Sequence, residues 1–224
     1  MKTLLICGTD TEVGKTVLTT ALAAYCLHNL GRLNPLPTLQ SVAIFKPIQT
    51  GSGDSLAPAL GDCEHYCRLF SLNQSPEEVT PLKFQAPLAP PIAAEQENRH
   101  VDLERVWTVF QSLQQRHNFI LIEALGGLGS PVTYETTVAD LARDWRLPVV
   151  LVVPIKLGAI AQAVANVALA CQSQIHLKGI VLNCVQPCTA EEVANWAPQS
   201  LIQSLTNTPV LGMLPHFSDL GDLT

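Results

Sequence analysis

Charged residues are scarce in this sequence, and basic residues are the scarcer kind. Charged residues make up 14% of the 224 positions, and 13 Lys and Arg face 19 Asp and Glu, for a formal net charge of −6. Binding to nucleic acid or to an anionic membrane surface normally needs a basic patch or stripe. The composition therefore argues against both and favours small, soluble partners.

Long hydrophobic runs are also missing. The longest aliphatic run, 149–155, contains Pro154 and is far shorter than the roughly 20 apolar residues that a membrane helix needs. The opening MKTLLIC is similar to the start of a signal peptide, but its apolar stretch ends at Gly8 and TDTEVGK follows instead of a cleavage site. We expect a protein that is neither exported nor embedded in a membrane.

The seven cysteines form no C-x-x-C pair and are odd in number. Cys63 and Cys67, like Cys184 and Cys188, have helical or turn spacing, but no histidine completes a zinc set beside them. This usage is typical of a reducing compartment. We expect the cysteines to be small buried hydrophobic residues of a cytoplasmic protein.

Hydrophobic residues, at 47% of the chain, are frequent enough for one domain, 1–224, with a sizeable core. Aliphatic runs recur with helix-length segments between them: TLLIC (3–7), SVAIF (41–45), FILIE (119–123), VVLVV (149–153), GIVLN (179–183) and PVLGM (209–213). Strands that are apolar on both faces are typical of a parallel sheet, because crossover helices cover both sides. The sequence predicts an α/β fold with a doubly wound, mainly parallel sheet.

Helices are predicted between these runs. One spans 15–30 and is ended by Gly31, another spans 159–174, and a third begins after Thr189 as its N-cap. The segment 47–91 is richer in Gly, Pro and Ser and predicts loops around one short helix at 62–70. Loops of that length at the carboxyl edge of a sheet are usually functional.

The stretch GTDTEVGKT (8–16) lies between the first predicted strand and the first helix. A phosphate-binding loop reads G-x-x-x-x-G-K-[ST]; its backbone N–H groups and lysine hold phosphates, and its hydroxyl binds Mg²⁺. Here the loop is one residue longer, and it carries the carboxylates of Asp10 and Glu12. We predict that Lys15 and Thr16 serve phosphate and Mg²⁺. The two carboxylates indicate a further ligand besides phosphate.

Other polar residues follow predicted strands. Lys46 comes directly after SVAIF, and Pro47 ends that strand, so the lysine is expected at the same edge as the loop. Glu123 closes FILIE, where a buried carboxylate needs a cation and where a Walker B acid helps to hold Mg²⁺. Two roles are equally compatible with Asp62: a plain N-cap of the helix, or a second acid near the metal. Asn183 has an amide that matches the donor and acceptor edge of adenine.

In their order along the chain, GTDTEVGKT, IFKPIQTG, IEALGG, PVVLVVPIKLGAI, GIVLN and LGMLP resemble the motifs of the dethiobiotin synthetases, ATP-dependent enzymes of biotin synthesis. The resemblance runs from Lys2 to about Pro215, and the long phosphate loop TDTEVGKT is its most specific part. It implies a homodimer that uses ATP, Mg²⁺, CO₂ or bicarbonate, and 7,8-diaminononanoate. The diamine would form a carbamate, ATP would phosphorylate it, and the second amine would close the cyclic urea of dethiobiotin.

The resemblance also implies roles for individual residues. The catalytic pair is Lys15 and Lys46, and the ATP-binding positions are Thr11, Glu12, Val13, Gly14, Lys15, Thr16 and Val17. The set associated with magnesium is Thr16, Asp62 and Glu123, with Asp62 preferred to Asp54. The substrate contacts are Thr11, Glu12, Lys46 and Thr50, and the adenine pocket comprises Asn183 and the backbone around Pro215. The turn 157–160 would reach the carboxylate tail of substrate held by the other subunit.

The sequence departs from the family pattern in places. The family commonly reads E-G-A-G-G after the strand-end acid, whereas this chain has Ala124 and Leu125 there. Thr50 stands where serine is common, Ala161 replaces a polar residue, and Cys184 stands where an acid is usual. These changes bear on substrate contacts and rate more than on the class of reaction.

Two other functions are alternatives to the synthetase. A nucleotide-switch ATPase that binds a protein partner would carry a lysine five residues before the loop lysine, where this chain has Asp10. An inactive ATP-binding regulatory domain of the same fold is favoured chiefly by the change at Ala124 and Leu125. The acids Asp219 and Asp222 receive no role.

Overall fold

The structure is a computed structural model, which describes residues 2–33, 42–51 and 61–223. The strands are β1 (Lys2–Gly8), β2 (Val42–Phe45), β3 (Ile48–Gln49), β4 (Leu82–Lys83), β5 (Phe119–Gly127), β6 (Pro148–Pro154), β7 (His176–Asn183) and β8 (Val210–Leu214). The helices are α1 (Lys15–Leu33), α2 (Asp62–Leu69), α3 (Pro76–Val79), α4 (Pro90–Gln96), α5 (Leu103–Arg116), α6 (Val138–Asp144), α7 (Ala159–Gln172), α8 (Ala190–Trp196) and α9 (Gln199–Thr206). A 3₁₀ turn, Leu220–Leu223, follows β8.

Six of the strands form one parallel sheet in the order β2-β5-β1-β6-β7-β8, which confirms the predicted fold class. From β1, the sheet extends to β5 and β2 on one side and to β6, β7 and β8 on the other. The loop after β1 therefore lies where the direction of winding reverses. In open α/β sheets, ligands bind in the crevice at this point, beyond the carboxyl ends of the strands.

The core occupies both faces of the sheet, because neighbouring residues of each strand point to opposite sides. Leu5 packs in one cluster with Phe110 of α5, whereas Ile6 packs in another with Leu18 of α1. The rings of Phe110 and Trp145 stack at 5.1 Å between centroids in the first cluster. This two-sided packing explains why the strands read as uninterrupted aliphatic runs.

Two predicted helix ends were wrong. Helix α1 continues through Gly31 to Leu33, since a glycine costs a helix only about 1 kcal/mol relative to alanine and does not by itself end it. Helix α7 ends at Gln172, two residues early, because Gln174 adopts a left-handed φ of 55°. The N-cap at Thr189 is confirmed, with Glu192 completing a capping box.

The segment expected to be mostly loops contains more regular structure than predicted. Strands β3 and β4 form a small two-stranded sheet, and α3 lies between α2 and β4. Helix α3 has its own start signal, because Ser75 and Glu78 form a capping box around Pro76. Elements this short show little hydrophobic periodicity, and the sequence pattern therefore did not predict them.

The seven cysteines are free thiols, but only part of the expectation about them holds. Cys7, Cys63 and Cys184 are buried, whereas Cys67 and Cys171 are exposed on helices. Burial raises the pKa of the Cys7 thiol to about 12, so it remains neutral beneath the phosphate loop. Within the described ranges, no helix has the length and apolar character needed to cross a membrane.

Candidate active site

A cavity of about 460 Å³ opens beyond the carboxyl ends of β1, β2 and β5. It gathers residues from the phosphate loop, the segment after β2, the start of α2 and strand β5. They are Thr11, Glu12, Gly14, Lys15, Thr16, Lys46, Ile48, Gln49, Thr50, Asp62, Pro87, Glu123 and Leu125. Both predicted catalytic lysines, all four predicted substrate contacts and all three predicted metal-associated residues therefore line one space.

The phosphate loop is held in shape by the strands beside it. The N–H of Thr9 donates to the carbonyl of Val152 at 3.0 Å, and Lys15 Nζ donates to the carbonyl of Asp10 at 2.9 Å. Gly14 has a φ of 97°, a conformation that side chains rarely adopt. The lysine thus lies folded over its own loop, with its ammonium beside the cavity.

The two carboxylates of the loop have different surroundings. Asp10 Oδ1 accepts a hydrogen bond from the N–H of Thr11 at 2.7 Å, so it supports the loop itself. Glu12 is exposed and has a left-handed φ of 54°, which is uncommon for a residue with a side chain. Of the two acids, only Glu12 lines the cavity beside Lys46 and Thr50.

Lys46 pairs with two acids, and the hydroxyl of Thr16 contacts both of these acids. Its Nζ lies 2.8 Å from Glu123 Oε1 and forms a second ion pair with Asp62 Oδ2. Thr16 Oγ1 lies 3.1 Å from Asp62 Oδ1 and 3.2 Å from Glu123 Oε1. Lys46 is 5% exposed and Glu123 1%, so these charges balance one another away from bulk water.

The pKa directions follow from this arrangement. Burial acts to lower the pKa of Lys46, but Glu123 and Asp62 outweigh it and raise that pKa above its usual value. Burial acts to raise the pKa of Asp62, yet Lys46 lowers it overall. Lys15 differs, because burial lowers its pKa and the attraction of Glu123 only partly opposes this. An anion bound beside Lys15 would oppose this effect of burial on its pKa.

Glu123 does not end its strand, so the prediction from the sequence was wrong on this point. Strand β5 continues to Gly127, because Gly8 of β1 still pairs with Gly127 beyond the pair of Ile6 and Glu123. Strand β2, in contrast, pairs with β5 only as far as Ile122. Glu123 thus lies just beyond the end of β2, which leaves its carboxylate open to Lys46.

Tyr66 is a residue of the site that was not predicted from the sequence. It is fully buried, and its hydroxyl donates a hydrogen bond to Glu123 Oε2. Burial and the charge of Glu123 raise the pKa of Tyr66 well above its usual value, so the hydroxyl stays protonated and acts as the donor. Its position four residues after Asp62, on the same face of the predicted helix, could have indicated that Tyr66 lies near the site.

Gln49 was also missed, and it anchors the start of α2. Its Oε1 accepts a hydrogen bond from the N–H of Cys63 at 3.1 Å. Gly61 occupies the N-cap position of α2, so Asp62 is not the plain N-cap that the sequence allowed. The Asp62 carboxylate instead contacts Thr16 and Lys46. Gln49 therefore holds Asp62 at the cavity through the helix backbone.

A second cavity, of about 470 Å³, lies on the other side of the phosphate loop and shares Thr11 and Glu12 with the first. It is lined by Asp10, Thr11, Glu12, Val13, Pro154, Ile155, Lys156, Val185, Gln186, Pro187, Cys188, Glu192 and Trp196. Asn183 borders the loop from below: its Nδ2 donates to the carbonyl of Val13 at 2.9 Å. Its Oδ1 is buried and has no hydrogen-bond partner among the described residues.

Several residues named from the sequence, Asn183 among them, line neither cavity, and Val13 lines only the second. The side chain of Val17 faces elsewhere on α1, and Leu157 is 83% exposed in the turn before α7. Pro215 is exposed beyond β8, and Asp219 Oδ1 accepts a hydrogen bond from Gly221 within its own turn. Val13 borders the second cavity while its side chain, 2% exposed, packs in the core. Asp54, the alternative to Asp62, lies outside the described residues.

Solved structures share this fold. A chain of the MinC:MinD cell division protein complex of Aquifex aeolicus aligns over 100% of this chain and 85% of its own length, with a TM-score of 0.57 and 13% identity. A ParA family ATPase from Chlorobium tepidum aligns over 97% of this chain and 85% of its own, with a TM-score of 0.55 and 14% identity. The fold and the loop define a nucleotide-binding protein of the P-loop class.

Sequence comparisons identify the family. A family profile described as an AAA domain matches residues 2–224. ATP-dependent dethiobiotin synthetases of Gloeothece citriformis and Crocosphaera subtropica are 57% and 53% identical, across 100% of this chain and 92% and 93% of theirs. The synthetase of Bacillus cereus is 31% identical across 100% of this chain and 86% of its own. The chain belongs to the ATP-dependent dethiobiotin synthetase family.

Proposed function

We propose that this protein is an ATP-dependent ligase of biotin biosynthesis that converts 7,8-diaminononanoate and CO₂ to dethiobiotin. One amine of the substrate adds to CO₂ to form a carbamate and loses a proton. A carbamate oxygen attacks the γ-phosphate of ATP, which releases ADP and leaves a mixed anhydride. The second amine attacks the carbonyl carbon, expels phosphate and closes the cyclic urea.

The observation that carries this proposal is the shared cavity of two lysines and Glu12. The reaction requires a site that holds a polyanion and an amine together. Lys15 and Lys46 supply positive charge on one side, and Glu12 borders the same space with an exposed carboxylate. An ammonium or amine group of the substrate gives Glu12 a partner. The extra residue of the loop thus serves the diamine while the rest of the loop serves phosphate.

ATP fits the two cavities across the loop. The backbone of the loop and the N-terminus of α1 suit the phosphates, with Lys15 placed to neutralise the transferred group. The second cavity, on the other side of the loop, is left for the base. Asn183 does not line that cavity but lies beneath the loop, where its Nδ2 donates to the Val13 carbonyl. Its buried Oδ1 has no partner among the described residues, and it is an acceptor that matches the exocyclic amino group of adenine.

The oxygen donors beside Lys46 fit Mg²⁺. Thr16, Asp62 and Glu123 offer a hydroxyl and two carboxylates, the hard ligands that Mg²⁺ prefers. When bound, the ion neutralises charge that develops on the phosphates. In the structure the Lys46 ammonium pairs with both acids. If these acids held Mg²⁺, the Lys46 ammonium would be available to pair with the carbamate of the substrate.

A cytoplasmic homodimer is part of the proposal. The turn before α7 supports it, because Leu157 is exposed and Gly158, with a φ of 92°, begins a helix of 14 residues. The N-terminus of a helix of this length suits the carboxylate tail of the substrate, and no residue of the turn 157–160 lines the first cavity of its own chain. The tail would therefore be bound by the partner subunit.

The two other functions have no support from the comparisons. The relatives at 57% and 53% identity are named as ATP-dependent dethiobiotin synthetases, and the likeness to MinD and ParA concerns the fold alone. Leu125 lines the cavity rather than closing it. The change from the common family pattern at Ala124 and Leu125 is thus compatible with a site that still accepts ligands.

The test is product analysis with isotope. Purified protein is mixed with ATP, Mg²⁺, 7,8-diaminononanoate and ¹³C-bicarbonate, and the products are followed by mass spectrometry. We expect ADP and dethiobiotin carrying the label, abolished in Lys15→Ala and retained in Lys178→Ala, which changes an exposed lysine of β7. Nucleotide binding without labelled dethiobiotin would overturn the proposal in favour of a regulatory domain.

A further inference from the structure

Tyr66 and Asp62 lie one turn apart on α2, and they contact the same cluster, formed by Thr16, Lys46 and Glu123, from two directions. Asp62 contacts Thr16 and Lys46 at the cavity. Tyr66 contacts Glu123 from behind, through Oε2, the carboxylate oxygen that faces away from Thr16 and Lys46. One short helix therefore carries an acid of the site and also the residue that holds the other acid.

The hydrogen bonds of Glu123 divide between its two oxygens. Oε1 accepts from Lys46 Nζ at 2.8 Å and from Thr16 Oγ1 at 3.2 Å, whereas Oε2 accepts from Tyr66. A carboxylate rotates readily when only one oxygen is bonded. The phenol, enclosed among core residues such as Val152 and Ile44, cannot follow such a rotation without disturbing that packing.

We propose that Tyr66 is a positioning residue for the metal site: its hydroxyl fixes the Glu123 carboxylate so that Oε1 faces Thr16 and keeps its spacing from Asp62. This inference rests on the proposed function, because it assigns Glu123 and Asp62 to Mg²⁺. Tyr66 touches neither the cavity nor any reacting group, since it is fully buried and does not line the cavity. Its effect passes through Glu123.

The start of α2 reinforces the same arrangement. Gln49 is 4% exposed, and its hydrogen bond to Cys63 N–H ties the first turn of α2 to β3. The helix is thereby anchored at one end by Gln49 and joined to β5 one turn later by Tyr66. Both acids are consequently set by the position of one helix, and a change at Tyr66 is expected to alter metal binding before nucleotide binding.

The experiment compares Tyr66→Phe with Tyr134→Phe. Each change removes one hydroxyl that donates to a glutamate, and Tyr134 donates to Glu95 at 2.8 Å on the surface. Mn²⁺ is titrated into each full-length protein with a non-hydrolysable ATP analogue, and free Mn²⁺ is measured by electron paramagnetic resonance. We expect Tyr66→Phe to weaken Mn²⁺ binding by roughly tenfold or more, as for other residues that orient metal ligands, and Tyr134→Phe to match the wild type.

Activity provides a second readout. In Tyr66→Phe, the Mg²⁺ concentration for half-maximal turnover should rise, while the KM for the diamine and the Kd for ADP in excess chelator stay near wild-type values. Mn²⁺ affinity equal to that of the wild type would overturn the inference, even if thermal stability fell. A wild-type protein that failed to bind Mn²⁺ would instead overturn the metal assignment in the proposed function, and the inference with it.

A double variant keeps the test decisive if Tyr66→Phe does not fold. Tyr66→Phe combined with Glu123→Gln removes the buried charge together with its donor. Because Tyr66 is inferred to act through Glu123, the double variant should bind Mn²⁺ as Glu123→Gln alone does, with no further loss. An additional loss of several fold in the double variant would show a role for Tyr66 that does not pass through Glu123, and would overturn the inference.

Discussion

The side chain of Asn183 supports the phosphate loop at Val13, with 2.9 Å between Nδ2 and the Val13 carbonyl oxygen. This contact joins the carboxyl end of β7 to a loop 170 residues earlier in the chain. Gly14 permits it, because a Cβ at that position would lie 1.9 Å from Asn183 Nδ2. Asn183 therefore couples the carboxyl end of β7 directly to the phosphate loop.

Asn183→Asp is expected to weaken nucleotide binding. The substitution replaces the donor by a carboxylate oxygen, which repels the Val13 carbonyl and the phosphates nearby. We expect an increase of roughly tenfold in the Kd for ADP, measured by titration calorimetry. Asn166→Asp is the matched control, because Asn166 Nδ2 also donates to a carbonyl at 2.9 Å, within α7. Equal affinities in the two variants would contradict a supporting role for Asn183.

Lys46→Ala should abolish turnover and also lower stability. Turnover should fall by several orders of magnitude, because Lys46 is the second cation of the site. The ion pairs of Lys46 with Glu123 and Asp62 add a stability cost. Removing one partner of a buried pair typically costs about 3–5 kcal/mol.

Denaturant unfolding of Lys46→Ala with and without Mg²⁺ measures this cost. Mg²⁺ should restore part of the lost free energy of unfolding, because it supplies the positive charge that Glu123 has lost. Lys178→Ala, which changes an exposed lysine, should show neither effect. Unchanged turnover in Lys46→Ala would show that the second cation plays no part in the reaction.

Glu12→Gln should impair binding of the diamine more than binding of ATP. The variant keeps the shape of the side chain and the left-handed φ of 54° but removes the charge that faces the cavity. We expect the KM for the diamine to rise by roughly tenfold, as for a lost charged hydrogen bond, with little change in the Kd for ADP. Equal losses for both ligands would identify Glu12 as a purely structural part of the loop.

Gly61→Ala should disturb the site although Gly61 itself does not line the cavity. An added Cβ would lie 2.0 Å from Gln49 Nε2, so Gln49 must move away from Cys63 and release the start of α2. Turnover and Mn²⁺ affinity should both fall several fold. In Gly212→Ala the new Cβ meets nothing within 4 Å, and this control should behave as the wild type. If the two variants behave alike, Gln49 does not set the position of Asp62.

Residues that the sequence located correctly are those set by strand order. The loop 8–16, Lys46 and Glu123 all follow aliphatic runs, and parallel strands bring their carboxyl ends to one edge of a sheet. Their convergence could therefore be predicted without coordinates. The sequence pattern also predicted the sheet, because strands covered on both faces read as continuous apolar runs.

Residues that the sequence missed are set by helix packing instead. Tyr66 looks like an ordinary core aromatic residue, and its contact with Glu123 depends on how α2 rotates against β5. Gln49 lies in a strand of only two residues, too short for any periodicity. Asp62 remained ambiguous because an acid at a helix start suits an N-cap as well as a site. Only the packing of α2 in the structure distinguishes these two roles of Asp62.

His117 should make the protein less stable as the pH falls. It caps the C-terminus of α5, is 4% exposed, and neither ring nitrogen has a hydrogen-bond partner in the described part of the chain. Burial and the neighbouring Arg116 lower its pKa. Below the unfolded pKa of about 6.5, the unfolded chain takes up a proton that the folded chain refuses. The free energy of unfolding therefore falls until the pH reaches the folded pKa.

Denaturant unfolding at pH 7.5 and pH 5.5, on either side of about 6.5, tests this sign. His117→Leu removes the titrating group and the two unpaired nitrogens, so it should lose less stability between the two pH values than the wild type does. His176→Gln, which changes an exposed histidine at the start of β7, should keep the wild-type dependence. The same acid-induced loss in His117→Leu and in the wild type would mean that His117 carries its proton equally well in both states.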